Sequence, residues 1–100
     1  MVNRVALQGT LAELGALRYT PAGIPAIDLR IQHASEQPEA GGLRQVNVEL
    51  SAVAFGTLAN QLSASRLGCT LSVIGFLAAK SQRSTKIVLH LTNIEFVEGV

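Results

Sequence analysis

Ile27-Asp28-Leu29-Arg30-Ile31-Gln32 alternates apolar and polar side chains at every step, and His33 extends its apolar side. A strict period of two cannot be a helix face; it is a strand with one side to a core and the other to solvent. The same period runs outward in both directions. Upstream, Val5, Leu7, Gly9 and Leu11 alternate with Ala6, Gln8, Thr10 and Ala12. Downstream, Val46, Val48, Leu50 and Ala52 stand opposite Asn47, Glu49 and Ser51. Turn chemistry separates the runs. Thr20-Pro21-Ala22-Gly23-Ile24-Pro25 combines prolines of fixed φ with a permissive glycine. Glu36-Gln37-Pro38-Glu39-Ala40-Gly41-Gly42 is expected to be a longer, acidic, mobile loop.

The second half of the chain changes pattern once. Phe55, Leu58, Ala59 and Leu62 recur at spacings of three and four, which predicts a short helix or an irregular loop between Ala54 and Ser65. Leu71–Ala79 then reads as a strand apolar on both parities, so it needs cover on both faces. In the last strand Ile87, Leu89 and Leu91 share one parity while Ile94 and Phe96 take the other, which predicts a bulge or bend near Asn93. Three strands, a break and two strands make an all-β protein, a five-stranded oligonucleotide-binding (OB) barrel with a short helix or loop between strands 3 and 4. Gly9 and Gly75, inside strand patterns, suit the bends of such a barrel.

One hundred residues suffice for one modest core, so residues 1–100 read as a single OB-fold domain. Hydrophobic residues make up 48% of the chain but only four are aromatic, Tyr19, Phe55, Phe76 and Phe96, so Leu, Val, Ile and Ala must fill the core. The three phenylalanines are assigned to that core, leaving Tyr19 as the exposed aromatic. Cys69 is alone and reads as a small buried hydrophobe, which fits a reducing compartment. Met1-Val2-Asn3-Arg4 lacks a signal-peptide core. No apolar run approaches the roughly 18 residues of a membrane span. The expectation is a soluble, cytoplasmic protein with no membrane association.

Charge is concentrated in one place. Lys80-Ser81-Gln82-Arg83-Ser84-Thr85-Lys86 carries three cations and no acid, and without it the chain would have five Lys and Arg against seven Asp and Glu. A basic hairpin between two strands of a near-neutral domain suits a phosphate backbone.

The order of elements, together with Asn3-Arg4-Val5-Ala6-Leu7-Gln8-Gly9-Thr10-Leu11, Thr20-Pro21-Ala22-Gly23-Ile24-Pro25, Glu39-Ala40-Gly41 with Arg44-Gln45, Gly75-Phe76 and Val88-Leu89-His90, resembles primosomal replication protein N, the PriB family of bacterial replication-restart proteins. The likeness spans essentially the whole chain, with length differences around residues 80–86. It implies an OB-fold homodimer related to single-stranded DNA-binding protein, without catalytic activity or cofactor. By the same likeness it would bind single-stranded DNA and help the PriA helicase recruit DnaT, with single-stranded DNA-binding protein itself a further partner.

The residues expected to bind DNA are Lys80, Arg83 and Lys86 in the hairpin, with Arg18, Arg30 and Arg44 extending the track. Lys86, Arg18 and Arg44 match basic positions of the family, and Lys80 and Arg83 fall near its basic loop positions. Arg30 lies on the polar side of its strand, and Arg4 is assigned a structural or interfacial role. Asn47 stands where some family members have a tryptophan, and Gly42 where an aromatic precedes the strand. With Tyr19 the sole exposed stacker, the expectation is weak, mainly electrostatic binding. His33 and His90 have no Cys or acid cluster at metal-ligand spacing. No Ser/His/Asp arrangement stands out, so neither metal nor enzyme chemistry is expected. Two alternatives stay open: a protein-interaction adaptor with residual DNA binding, supported by Asn47, and a general single-stranded DNA binder. Against the latter, the chain ends at Phe96-Val97-Glu98-Gly99-Val100 with no acidic tail.

Overall fold

The computed structural model describes residues 1–97; residues 98–100, on which the reading of an absent tail partly rests, lie outside the described residues. Strands β1 (Val5–Leu14), β2 (Arg18–Tyr19), β3 (Pro25–Glu39), β4 (Gly42–Phe55), β5 (Thr70–Ala79) and β6 (Ile87–Val97) are interrupted by one helix, α1 (Thr57–Ser63), between β4 and β5. Strand β1 is used twice. Val5–Thr10 pair with β5, and Thr10–Leu14 pair with β3, with a register shift between Leu11 and Glu13 inside that second ladder. β3–β4 and β5–β6 are antiparallel hairpins, and a parallel contact, Ala52↔Leu89 and Val53↔His90, joins β4 to β6 and closes the ring. Five long strands thus form a closed OB barrel, with two-residue β2 added beside Pro25 and Ala26.

The inward parity is the one the alternation predicts. Leu11, Ile27, Leu29, Ile31, Ala52, Ala54, Leu71, Val73, Leu89 and Leu91 form the core, and Ala59 and Leu62 of α1 join it. The helix is shorter than expected and has no side-chain cap at Gly56. A seven-residue helix has little stability of its own in water, so burial of Leu62, worth about 1.5–3 kcal/mol, is what holds it.

Close approach explains two glycines, Gly9, where a Cβ would lie 2.6 Å from the Gln32 carbonyl oxygen, and Gly75. A Cβ at Gly75 would run into the backbone carbonyl of His90, at the point where β5 and β6 shift register between Ile74 and Gly75. Thr92 is the extra residue on β6, so the bulge falls beside Asn93 as the parity switch of Ile94 and Phe96 predicts. Asn3 continues β1 by side chain alone: its amide donates to the Leu77 carbonyl at 2.8 Å and its oxygen accepts from the Leu77 N–H at 2.9 Å.

Two expectations are overturned. Glu36–Gly42 is not a mobile loop. β3 and β4 remain paired out to Glu39↔Gly42, and Ala40-Gly41, with φ of 50° and 83°, make the tight turn. Positive φ at both central residues is the primed hairpin geometry that matches strand twist. The acids Glu36 and Glu39 therefore sit on strand positions of an arm that projects past the barrel. Phe55 is not on the helix and not in the core: it ends β4, and its relative exposure is 41%, with Phe76 at 40% and Phe96 at 43%.

Candidate nucleic-acid interface

Because inward residues on β4, β5 and β6 are fixed by the core, the opposite parity is fixed too. Phe76 faces His90 across the β5–β6 ladder, and His90 meets β4 at Val53, two residues before Phe55. The three rings make a column: Phe76 stacks on His90 at 4.9 Å between centroids and 14°, and His90 on Phe55 at 5.9 Å and 23°. The column lies on the outer surface of the barrel. Further along the same hairpin face, Lys80 and Lys86 close the β5–β6 turn, the Lys80 N–H donating to the Lys86 carbonyl at 2.9 Å. Lys86 and His90 are four residue steps apart, about 13 Å at the usual strand rise.

This wall is one side of a cleft of about 690 Å³. Its lining includes Lys80, Lys86, His90 and Phe55 from one side and Arg18, Asp28, Arg30 and Glu13 from the other. Four cations and two carboxylates share it, so the cleft keeps a positive balance.

The cations are not equivalent. Arg18 donates from Nε and Nη2 to the Asp28 carboxylate at 3.3 Å. Arg30 donates from Nε to Glu49 at 2.6 Å and from Nη1 to the Ser51 hydroxyl at 2.8 Å, with Glu13 at 3.9 Å. Glu49, through that hydrogen bond first and its charge second, raises the Arg30 pKa above its ordinary value, so Arg30 stays charged at every working pH. Arg44 is held by Glu39 at 3.1 Å. Lys80, Arg83 and Lys86 form no ion pair among the described residues. Only these three offer uncompensated charge on the hairpin.

The structure therefore brings together four of the residues expected to bind DNA, Lys80, Lys86, Arg18 and Arg30. Arg83 lies in the loop outside the cleft lining. Arg44 and Asn47 are on the projecting β3–β4 arm, and Tyr19 is exposed on β2 without lining the cleft. The scarcity of exposed aromatics expected from the sequence is corrected: Phe55 and Phe76 supply them, with His90 between. His33 is structural, with Nδ1 2.7 Å from the Gln8 carbonyl and Nε2 2.8 Å from the Ser35 hydroxyl, tying β3 to β1.

Residues 3–93 match the family model described as "Another single-strand binding protein family". The replication restart protein PriB of Bordetella pertussis is 43% identical over 98% of this chain and 92% of its own length. The chain belongs to the PriB family. A solved PriB structure from Ralstonia solanacearum, 32% identical, superposes with a TM-score of 0.89 over 98% of this chain and all of that one. The single-stranded DNA binding protein from Thermus aquaticus, 25% identical, gives a TM-score of 0.78 over 98% of this chain and 51% of its own. The PriB barrel is thus the barrel described above. Among the described residues no helix is long and apolar enough to cross a membrane.

Proposed function

We propose that this chain binds single-stranded DNA as a non-catalytic accessory of replication restart in the cytoplasm, with the strand lying in the cleft between the β5–β6 hairpin and the outer faces of β3 and β4. The observation that carries this reading is that Phe55 and His90, two rings of an exposed aromatic column, line a positively balanced cleft together with two lysines that form no ion pair among the described residues. Single-strand binders combine these two elements, a basic groove that follows phosphates and rings on which bases stack. Phe55 is the ring nearest the arginine side of the cleft and is the proposed stacking platform; Lys80, Lys86, Arg18 and Arg30 hold phosphates, and Arg83 adds charge from the loop.

The family name supports the restart setting. Contact with the PriA helicase and DnaT, and assembly as a homodimer, follow from the resemblance and belong to the same proposal. The adaptor reading draws its support from the missing aromatic at Asn47 on the arm; the exposed Phe55–His90–Phe76 column supports DNA binding by offering stacking surface elsewhere.

The test is anisotropy of a labelled oligo-dT with the purified protein, from about 50 to 200 mM salt, with unlabelled duplex of equal length as competitor. Saturable binding that weakens with salt and resists duplex competition supports the reading. Failure to bind the single strand at the lowest salt, or equal displacement by duplex, rejects it.

A further inference from the structure

Not all of the cleft's positive charge is free to meet a phosphate. Asp28 projects from the outer face of β3 into the cleft, and among the described residues its carboxylate is engaged only by Arg18, at 3.3 Å. Their side chains are 64% and 50% exposed respectively, so the pair is wet and exchangeable. The Arg30–Glu49 pair differs: its contact is 2.6 Å, and the Ser51 hydroxyl fixes the other end of the guanidinium. Arg18 sits on β2, whose two residues pair with β3 at Pro25 and Ala26, so its backbone is held beside the cleft while its fork can turn. A guanidinium binds carboxylate and phosphate with the same two-pronged geometry, which makes Asp28 a direct competitor for any phosphate at that place.

We infer that Asp28 sets the single-stranded DNA affinity of this chain by occupying Arg18, and that a backbone phosphate displaces it on binding. The inference rests on the single-strand reading of the cleft and adds to it a competing residue. In this arrangement, Arg18 contributes little to the free protein's attraction for DNA, because each approach must first break an internal pair. Asp28 is accordingly a positioning residue: it acts through Arg18 and not on the ligand. Glu13 and Glu49 do not share this role, since Arg30 is also fixed by Ser51.

The test compares wild type, Asp28→Asn, Arg18→Gln and the double variant with labelled oligo-dT across a salt series. Asparagine keeps the size of Asp28 at an exposed position, and a thermal melt of each variant reports folding separately. Because the wild-type complex already holds the Arg18–phosphate contact, Asp28→Asn removes only the exposed pair that the phosphate must displace, so binding should tighten by up to about fivefold. The number of phosphate contacts, and with it the salt slope, should stay the same within about 0.3. In the Arg18→Gln background the same Asp28→Asn change should give no more than about a twofold gain. An equal gain in both backgrounds would mean that Asp28 merely repels DNA and would overturn the inference, as would a slope steeper by about 0.7 in Asp28→Asn, which would mean that phosphate does not displace Asp28 in the wild type. Absence of wild-type binding at low salt would instead reject the parent reading, and the inference with it.

Discussion

Replacing Lys80, Arg83 and Lys86 together by glutamine tests which cations the cleft can use. These three are exposed, lie on or beside the β5–β6 turn, and have no acidic partner among the described residues. Each phosphate contact contributes about 0.7 to the slope of log K against log salt for a single strand, so losing three should flatten it by about 2. At ~0.1 M salt the same arithmetic predicts about a 100-fold loss of affinity for oligo-dT. Arg44→Gln is the matched control. Its guanidinium is already paired with Glu39 at 3.1 Å on the arm, so removing it takes away no free charge and should change affinity by less than about twofold. Anisotropy titrations at four or more salt concentrations between about 50 and 200 mM give both quantities. Melting temperature guards against misfolding, since exposed loop substitutions ordinarily move stability by no more than about 0.5 kcal/mol. The reasoning is refuted if the triple variant keeps the wild-type slope, or if Arg44→Gln loses as much as the loop variant. The second outcome would show that ion pairing within the fold does not decide which cations meet DNA.

The remaining predictions separate stacking from charge and fold from site. Phe55→Ala should weaken oligo-dT binding by about 1–3 kcal/mol while leaving the salt slope within error, because a base platform releases no counterions; a flattened slope would contradict the stacking role. Gly75→Ala should destabilise the barrel by about 1–3 kcal/mol in urea melts, because its new methyl group meets the His90 carbonyl, and a neutral result would contradict the bulge geometry. Ala40→Asn should stabilise the protein by roughly 1 kcal/mol, since it places an Asn-Gly turn where φ is 50° and 83°; a loss of stability would mean that the arm does not end in that turn.

Much of the fold was legible because alternation is a local signal with a global consequence. Once Ile27, Leu29 and Ile31 face a core, their neighbours face out, and the parity switch after Leu91 locates the bulge at Thr92 without reference to any other strand. The arm was not legible in the same way. Glu36–Gly42 has the composition of a loop, and only the continued pairing with Gly42–Gln45 makes its first residues a strand. Cross-strand partners supply that pairing, and local composition cannot.

The site shows the same division more sharply. Parity already contained the aromatic column: Phe55 follows inward Ala52 and Ala54, His90 lies between inward Leu89 and Leu91, and Phe76 is out of step with Leu71 and Val73. Assigning large apolar rings to the core by type overrode that signal. In a chain with four aromatics, whether two phenylalanines are buried or exposed changes the reading of binding from electrostatic attraction alone to attraction plus stacking. The availability of charge had no such signal. Arg18 and Asp28 are ten residues apart, Arg30 and Glu49 nineteen, and each pair forms only because strand register sets them side by side. Counting cations along the sequence treats Arg18, Arg30, Arg44 and Lys86 alike. Strand pairing distinguishes them, because it leaves acids beside the first three and, among the described residues, pairs none with the hairpin. The basic loop therefore dominates less by its number of charges than by the lack of a neighbouring strand carrying carboxylates to neutralise it.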